Sequence, residues 1–217
     1  MYTTYLCQQA ILKNSRQKIS TMQDKLFDFI AKYISLTDTE KHALLSLNIF
    51  HTAKKGQVLL KEGQYSDKSY FVLNGCIRSY YIIDGVEKTT AFYTEMDALT
   101  PHCVVTKKPS EYFINCVEDC ILVISSAEME AETNRKFPKF ELMCRKLTEE
   151  LLVKERIDFD EFKISSPEQR YLNLVEKRPD LIQRVPQHQL ASYLGIKPES
   201  LSRLRSRINK KRAKPIS

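Results

Sequence analysis

The chain has 217 residues, of which 42% are hydrophobic and 28% are charged, and its formal net charge is +7. This composition excludes a fibrous or disordered chain and allows one large or two small globular domains. No apolar run approaches the roughly 20 residues that span a bilayer, so we expect no membrane segment. The first residues lack the apolar core of a signal peptide, which predicts a cytoplasmic protein.

The basic charge is concentrated in the last quarter of the chain. Residues 163–217 contain 13 Lys and Arg against 4 Asp and Glu, whereas residues 1–162 contain 21 basic and 23 acidic residues. A segment with a net charge of +9 on a body with a net charge of −2 favours a C-terminal module that binds nucleic acid.

Residues 1–21 are expected to be an N-terminal extension, disordered and outside the folded domains. A helix is predicted from Met22 to Ser35, where apolar residues recur at helical spacing. The stretch from Thr37 to Glu40 has the signature of a capping box and predicts a second helix that ends near Leu47. We interpret both helices as a lid over the domain that follows.

Short runs rich in Val, Ile, Tyr, Phe and Thr fill residues 50–125 and are separated by glycines. Asp84 and Gly85 lie between two such runs, which is a strong hairpin signal. Several strands at this spacing predict an antiparallel β-barrel or jelly roll. Residues 22–126 are therefore expected to form one effector-type domain.

The helical period returns in residues 127–163, which are predicted to connect the domains and to form the dimer. Phe137 and Pro138 should divide this segment into a short helix and a long one. Four residues of the long helix fall on the seam of a paired helix and predict a dimer contact. These residues are Phe140, Cys144, Leu147 and Leu151. The alternative is that this seam packs on the chain's own barrel.

A C-terminal domain is predicted for residues 164–217. Ser166 and Pro167 mark the start of a helix that runs to about Lys177. Ile182 to Val185 are interpreted as a short strand. Residues 187–206 then read as two helices joined by a sharp turn, with a small residue, Ala191, where the helices approach closely.

Gly195 supplies the positive φ that this turn needs, and Pro198 fits the first position of the second helix. This arrangement predicts a helix-turn-helix, whose second helix enters the DNA major groove. An ordinary pair of packed helices is the alternative. The outward side chains are charged or hydroxylic, as in DNA readers.

The predicted DNA-binding residues form three groups. Glu199 and Arg203 are expected to read bases, followed by Lys197, Ser200 and Ser202. Gln187 and His188, at the start of the first helix, are expected to meet phosphate. Backbone contacts are expected from Arg207, Lys210 and Lys211.

Two helices, a jelly roll, a long helix and a C-terminal helix-turn-helix, in this order, resemble the Crp/Fnr family of bacterial transcription regulators. The resemblance begins near residue 22 and includes the stretches KKGQVLLKEGQYSDKSYFVLNGCIRSYY and GIKPESLSR. It implies an α+β fold: an antiparallel jelly roll of the cyclic-nucleotide-binding type, a long dimerisation helix and a C-terminal winged helix-turn-helix. It also implies double-stranded DNA, a second copy of the chain, RNA polymerase and a small-molecule effector as partners.

Within the resemblance, Glu199 and Arg203 match a Glu and an Arg of the family's recognition helix, but Pro198 replaces its first Arg. Lys197 is the candidate substitute for that Arg in reading guanine. In the effector domain no Gly precedes Glu95, and no Arg stands near Ser110. These positions hold the ribose and the cyclic phosphate in relatives that bind cyclic AMP, so we expect no cyclic AMP binding of that kind.

No cofactor is expected. The six cysteines do not form the paired groups of a zinc site, and Cys7 is the single one near the N-terminus, where the family's oxygen sensors hold an iron–sulfur cluster. Cys116 and Cys120 are four apart and would share one face of a strand, which leaves a redox or metal role open for this pair. Haem sensing through His102 or Cys103 also stays open.

The sequence therefore predicts a DNA-binding regulator and not an enzyme. One alternative is a ligand-sensing jelly roll that regulates a protein partner. Another is a cupin-type metalloenzyme, which needs clustered His and Glu ligands. The four histidines are scattered along the chain and do not provide such a cluster.

Overall fold

The computed structural model describes residues 21–212, with side chains for residues 21–208. All of the predicted N-terminal extension except Thr21 lies outside the described residues, as do Cys7 and the side chains of Lys210 and Lys211.

The described part of the chain begins with two short helices and continues into a β domain. The helices are α1, described over residues 21–30, and α2 (Asp38–Ser46). The strands are β1 (Phe50–Ala53), β2 (Val58–Leu60), β3 (Lys68–Asn74), β4 (Ile77–Ile83), β5 (Val86–Tyr93), β6 (Ala98–Leu99), β7 (Phe113–Cys116) and β8 (Cys120–Ser126). A short helix, α3 (His102–Thr106), lies between β6 and β7.

Six helices complete the described chain. They are α4 (Ala127–Lys136), α5 (Lys139–Ile164), α6 (Pro167–Lys177), α7 (Pro179–Arg184), α8 (Gln187–Tyr193) and α9 (Pro198–Arg212). None of the helices within residues 21–212 is long and apolar enough to span a membrane.

The β domain is an antiparallel roll of two four-stranded sheets, as the alternating short runs predicted. The first sheet has the strand order β1-β8-β3-β6 and the second has the order β2-β7-β4-β5. Asp84 and Gly85, both at positive φ, form the tight turn between β4 and β5. The predicted hairpin is therefore confirmed.

Three apolar cores follow from the alternation of side chains along the strands. On β3, Tyr70 and Val72 face the interior of the roll, whereas Phe71 and Leu73 face outward under α1, α2 and α5. On β5, Tyr93 faces the interior and Phe92 faces outward, toward the C-terminal helices. The helical lid and the C-terminal domain therefore cover opposite outer faces of the roll.

Several predicted helix boundaries are confirmed by their caps. The Thr37 hydroxyl accepts a hydrogen bond from the Glu40 N–H, and the Glu40 carboxylate accepts one from the Thr37 N–H. Ser166 caps α6 in the same way through the Gln169 N–H, with Pro167 at the first position. The predicted break at Phe137–Pro138 separates α4 from α5.

Two local predictions are wrong. The helix predicted from Met22 to Ser35 ends at residue 30, where Lys32 and Tyr33 donate to carbonyls three residues back and tighten the chain into a turn. The predicted strand from Ile182 to Val185 lies instead in and just after the helix α7. Pro179 at the start of α7 fixes a helical φ.

The C-terminal domain is helical throughout its described part. Leu181 and Val185, one helical turn apart, are both buried in its core. Residues 164–212 contain no β-strand. The predicted wing is therefore not found among them.

The predicted placement of Cys116 and Cys120 is also wrong. They lie on two strands, at the end of β7 and the start of β8, because the chain turns between the two sheets at residues 117–119. Both nevertheless face the roll interior, with Cys103. Among the described cysteines, Cys76 is buried as well and Cys144 is exposed, and none of the five forms a disulfide.

Candidate nucleic-acid interface

The turn between α8 and α9 has the geometry that the sequence predicted. Gly195 has a φ of +71°. Its N–H donates to the Ser192 carbonyl at 3.0 Å, and the Ile196 N–H donates to the Ala191 carbonyl at 3.0 Å. This pair of bonds satisfies the last carbonyls of α8 and reverses the chain within two residues.

The second helix, α9, buries one face and exposes the other. Leu201, Leu204 and Ile208 pack into the core with Leu190 and Ala191 of α8. The opposite side of α9 and its approach carry exposed side chains, which are Lys197, Glu199, Ser200, Ser202, Arg203, Ser206 and Arg207. The predicted base-reading residues therefore share one accessible face.

The residues predicted to contact phosphate differ in how accessible their side chains are. Gln187 and His188 are exposed in the first turn of α8, beside the turn that leads to α9. Arg207 is exposed but forms an ion pair with Glu168 of α6, so the carboxylate of Glu168 partly neutralises its charge. Lys210 and Lys211 belong to α9, and their side chains lie outside the described ones.

One important positioning residue was missed at the sequence level. Arg170 of α6 donates to the carbonyl of Leu194, at the end of α8, and to that of Phe162 in α5, both at 3.2 Å. Its guanidinium also lies 3.7 Å from the centroid of the Phe162 ring. A Cβ at Gly195 would lie 3.4 Å from the nearer Arg170 nitrogen. Arg170 thus ties the end of α8 to the long helix α5.

Helix α8 packs on the outer face of the second sheet. The Ser192 hydroxyl of α8 accepts from the Thr89 N–H and donates to the Glu87 carbonyl, both at 2.9 Å. Beside it, the Tyr193 ring meets the Phe92 ring edge-on, with 5.3 Å between centroids. These contacts fix α8 along β5.

An ionic clamp reinforces this docking, and we define it by Arg184 with Glu95 and Glu118. Arg184 of α7 donates to both carboxylate oxygens of Glu95, at 2.8 and 2.9 Å, and to Glu118 at 2.9 Å. Glu95 also accepts from the Gly75 N–H at 2.8 Å. Burial raises the pKa of Glu95, but its hydrogen bonds from Arg184 and Gly75 outweigh burial and hold that pKa below its usual value.

A second arginine makes a neighbouring contact between the domains. Arg178, between α6 and α7, donates to the Thr94 hydroxyl at 2.6 Å and lies 3.8 Å from the Asp97 carboxylate. Thr94, Glu95 and Asp97 belong to the single turn that joins β5 to β6. The C-terminal domain therefore holds this turn at three positions.

The segment that resembles a cyclic-phosphate cassette has another use in this chain. Glu95 faces the clamp rather than the roll interior. Ser110 is buried and donates to the Tyr112 carbonyl at 2.7 Å, whereas Lys107 and Glu111 are exposed. The interior of the roll is filled by aromatic and aliphatic side chains, Tyr112 among them.

The long helix α5 has two apolar faces, and the face predicted to form the dimer packs on the chain's own β domain. On the predicted dimer seam, Phe140 is buried beneath the N-terminal helices, and Cys144 and Leu147 line a cavity against the first sheet. The alternative, packing on the chain's own domain, therefore holds for this seam. Exposed apolar side chains lie on the opposite face, which we call the outer face of α5; they are Leu142, Val153, Ile157 and Ile164.

A metal site needs several ligands close together. Within residues 21–208, no group of three or more His, Cys, Asp or Glu is arranged to hold a metal ion. His102 begins α3, where its N–H donates to the Tyr112 hydroxyl at 3.2 Å and its ring meets the Tyr112 ring edge-on. This placement gives His102 a packing role.

The sequence profile of the family described as cyclic nucleotide-binding domain matches residues 50–133. The match covers the roll and most of α4, and the C-terminal helices lie outside it. No curated protein is similar in sequence to this chain.

Solved structures extend the similarity beyond the roll. The chain is similar to the c-di-GMP-responsive global regulator CLP of Xanthomonas campestris, with a TM-score of 0.61 and 14% identity over 83% of this chain and 96% of that one. It is similar to a CooA mutant of Carboxydothermus hydrogenoformans, with a TM-score of 0.60 and 18% identity over 78% and 79%. For FixK2 of Bradyrhizobium japonicum the TM-score is 0.52, with 16% identity over 77% and 87%.

At these identities the similarity concerns the fold. Residues 50–133 match the profile of the cyclic nucleotide-binding domain, and the fold of this chain is similar to that of CLP over 83% and to that of CooA over 78% of its length.

Proposed function

We propose that this protein is a sequence-specific DNA-binding transcription regulator of the Crp/Fnr type that acts as a homodimer. The observation that carries the proposal is the accessible face of α9, where Lys197, Glu199 and Arg203 stand exposed beside a tight turn. A helix presented in this way fits the major groove. The concentration of basic charge in the same quarter of the chain supports it.

The proposed division of roles follows from side-chain chemistry. Arg203 reads guanine through its planar fork, and Glu199 accepts from an adjacent base. Lys197, Ser200 and Ser202 add further contacts on the same face. Phosphate contacts come from Gln187, His188, Lys210 and Lys211, and from Arg207 once it leaves Glu168.

The proposed dimer forms through the outer face of α5. Val153 and Ile157 are 60% and 52% exposed, and Ile164 is 84% exposed. Apolar side chains at this spacing on one helix are buried when two copies pair along it. A two-fold pair of recognition helices would then match a DNA site with two similar halves.

The proposal for the effector domain concerns a ligand that it does not bind. We infer that the roll does not bind cyclic AMP in the usual way, because Glu95 is engaged in the clamp and the sequence from residue 101 to residue 116 contains no arginine. The effector is unknown or absent. RNA polymerase is a proposed partner, the cytoplasm is the proposed location, and neither an enzymatic activity nor a cofactor is part of the proposal.

The proposed domain division keeps the boundaries given by the sequence. Residues 22–126 form the effector domain, residues 127–163 connect and dimerise, and residues 164–217 bind DNA. Residues 1–21 are an extension.

Salt-dependent binding to duplex DNA tests the proposal. In fluorescence anisotropy with a labelled duplex, the logarithm of the association constant should fall linearly with the logarithm of the salt concentration, with a slope of about −0.9 per neutralised phosphate. Lys197→Ala should reduce the magnitude of that slope by about 1 if Lys197 meets phosphate, or weaken binding at one sequence if it reads a base. Lys61→Ala, an exposed lysine on the roll, is the charge-matched control and should change neither. Equal effects of the two substitutions would contradict the proposed interface.

A further inference from the structure

We propose that this protein has a second ligand site, outside the roll interior, for an uncharged and mainly apolar small molecule. A cavity of about 300 Å³ lies between the outer face of the first sheet and helices α1, α2, α4 and α5. Small-molecule pockets span about 300–1,000 Å³. The space is partly open to solvent, which leaves a route for a ligand to enter.

The walls of this cavity, which we call the lid cavity, are predominantly apolar. Phe29 of α1 and Phe71 of β3 form an aromatic corner, with 5.0 Å between ring centroids. Val123 of β8 lies beside them, and Leu147 and Met143 of α5 lie opposite. Methionine side chains adapt to the shape of a ligand at low cost. A flat or branched apolar molecule would bury its surface here.

The charges around the lid cavity restrict the class of ligand. Within residues 21–208, its lining contains no Lys, Arg or His and a single carboxylate, Glu130, which accepts from the Ser125 hydroxyl at 2.6 Å. An anion would meet this carboxylate with no cation among these lining residues to compensate it, and an unpaired charge is costly to desolvate. Nucleotides and fatty acids are therefore disfavoured.

A polar group on the ligand would still find partners. The Asn134 amide lines the lid cavity and makes no hydrogen bond to another side chain or backbone group in the described part of the chain. On the sheet side, the hydroxyls of Ser69 and Thr100 lie 3.1 Å apart and retain unused acceptor capacity. A hydroxyl or carbonyl group on an otherwise apolar molecule is the chemistry that this lining recognises.

The lid cavity is independent of the proposed DNA interface. Its walls come from residues 26–134 and from the first part of α5, whereas the C-terminal helices cover the other sheet. Binding would link α5 to the roll and would raise thermal stability by mass action. If the protein failed to bind DNA, the inference about the lid cavity would be unaffected. If the lid cavity bound no ligand, the proposed DNA-binding function would be unaffected.

The test uses the full chain and the neutral fluorescent probe N-phenyl-1-naphthylamine. We expect saturable binding of one probe per chain, with a blue shift and a rise in melting temperature. The anionic probe 8-anilinonaphthalene-1-sulfonate should bind roughly tenfold more weakly, because its charge is unpaired in the lid cavity. No saturable binding, or tighter binding of the anionic probe, would overturn the proposal.

Two substitutions on α5 separate this site from surface adsorption. Leu147→Phe fills part of the lid cavity and should weaken binding of the neutral probe roughly tenfold. Phe159→Ser removes a 55% exposed aromatic ring from the same helix and should leave binding unchanged. The opposite pattern would show that the probe adsorbs to the surface of the helix and would refute the site.

A third variant keeps the test decisive if Leu147→Phe does not fold. Glu130→Gln removes the single carboxylate of the lining and should strengthen binding of the anionic probe while leaving the neutral probe unchanged. If Glu130→Gln affected neither probe, the probes would be bound elsewhere and the proposal would be wrong.

Discussion

The ionic clamp around Arg184 offers the sharpest test of how the two domains are joined. Arg184→Met removes the guanidinium and keeps most of the apolar stem. The side chain of Arg184 is 24% exposed, and those of Glu95 and Glu118 are 36% and 31% exposed. Charge-assisted hydrogen bonds contribute about 1.5–3 kcal/mol when buried, whereas exposed ion pairs contribute about 0.2–1 kcal/mol. Because solvent screens this cluster in part, we expect Arg184→Met to lower the free energy of unfolding by about 1–2 kcal/mol.

Urea unfolding followed by circular dichroism at pH 7 measures this loss. The matched control is Arg156→Met, which removes an arginine paired with Asp160 one helical turn away. The Arg156 side chain is 74% exposed, and such pairs contribute about 0.3–0.5 kcal/mol. Equal losses for the two variants would refute the clamp.

The pH dependence provides a second criterion for the same variant. The pKa of Glu95 is held below its usual value in the folded protein, so the clamp contributes fully above the unfolded pKa of Glu, about 4.3. Its contribution is lost as the pH falls through the lower, folded pKa. The difference between the parent and Arg184→Met should therefore shrink toward acid. A difference that stayed constant below pH 4 would contradict this role of Glu95.

Further predictions concern DNA, the turn, the dimer and the roll. Arg203→Ala should weaken binding to a selected DNA site by about 1–3 kcal/mol and relax its specificity at one position; unchanged binding in an anisotropy titration would exclude Arg203 as a base reader. Gly195→Ala should destabilise the protein by about 1–2 kcal/mol in urea unfolding, because Ala is strained at a φ of +71°; an unchanged midpoint would argue against the tight turn. Ile157→Glu should give a monomer in analytical ultracentrifugation, since it places a charge on the outer face of α5, and a dimer that persisted would move the interface elsewhere. Isothermal titration with cyclic AMP should give no binding, and micromolar affinity would refute the inference about the roll.

Local signals in the sequence were sufficient wherever structure depends on neighbouring residues. The capping box at Thr37, the proline after Ser166 and the glycine at 195 each specify a backbone conformation within a few residues. The alternation of β-type residues in the roll also acts locally, since it requires only that one side of each strand be buried. These parts of the fold were predicted correctly.

Contacts between distant residues were not visible in the pattern. Arg184 and Glu95 are 89 positions apart, and Arg170 meets Leu194 across 24 positions. Nothing in their local spacing distinguishes them from solvated surface charges. The docking of α7 and α8 on the roll, and the residues that hold them there, therefore required the structure.

The long helix illustrates a different limit. Phe140 and Leu147 on one face, and Val153 and Ile157 on the other, both recur at helical spacing. Periodicity identifies a helix with apolar faces but does not say which face its own domain covers. The assignment needed the position of α5 against the first sheet, where Phe140 is 4% exposed.

Selection of bound sequences from random duplex DNA, with the purified full chain and no added ligand, tests the central claim most directly. A dimeric reader predicts enrichment of a palindrome whose half-sites lie about one helical turn apart. Repeating the selection with Arg203→Ala should relax one position in each half-site. Recovery of unenriched sequences held only by weak, salt-sensitive binding would contradict a ligand-independent, sequence-specific regulator.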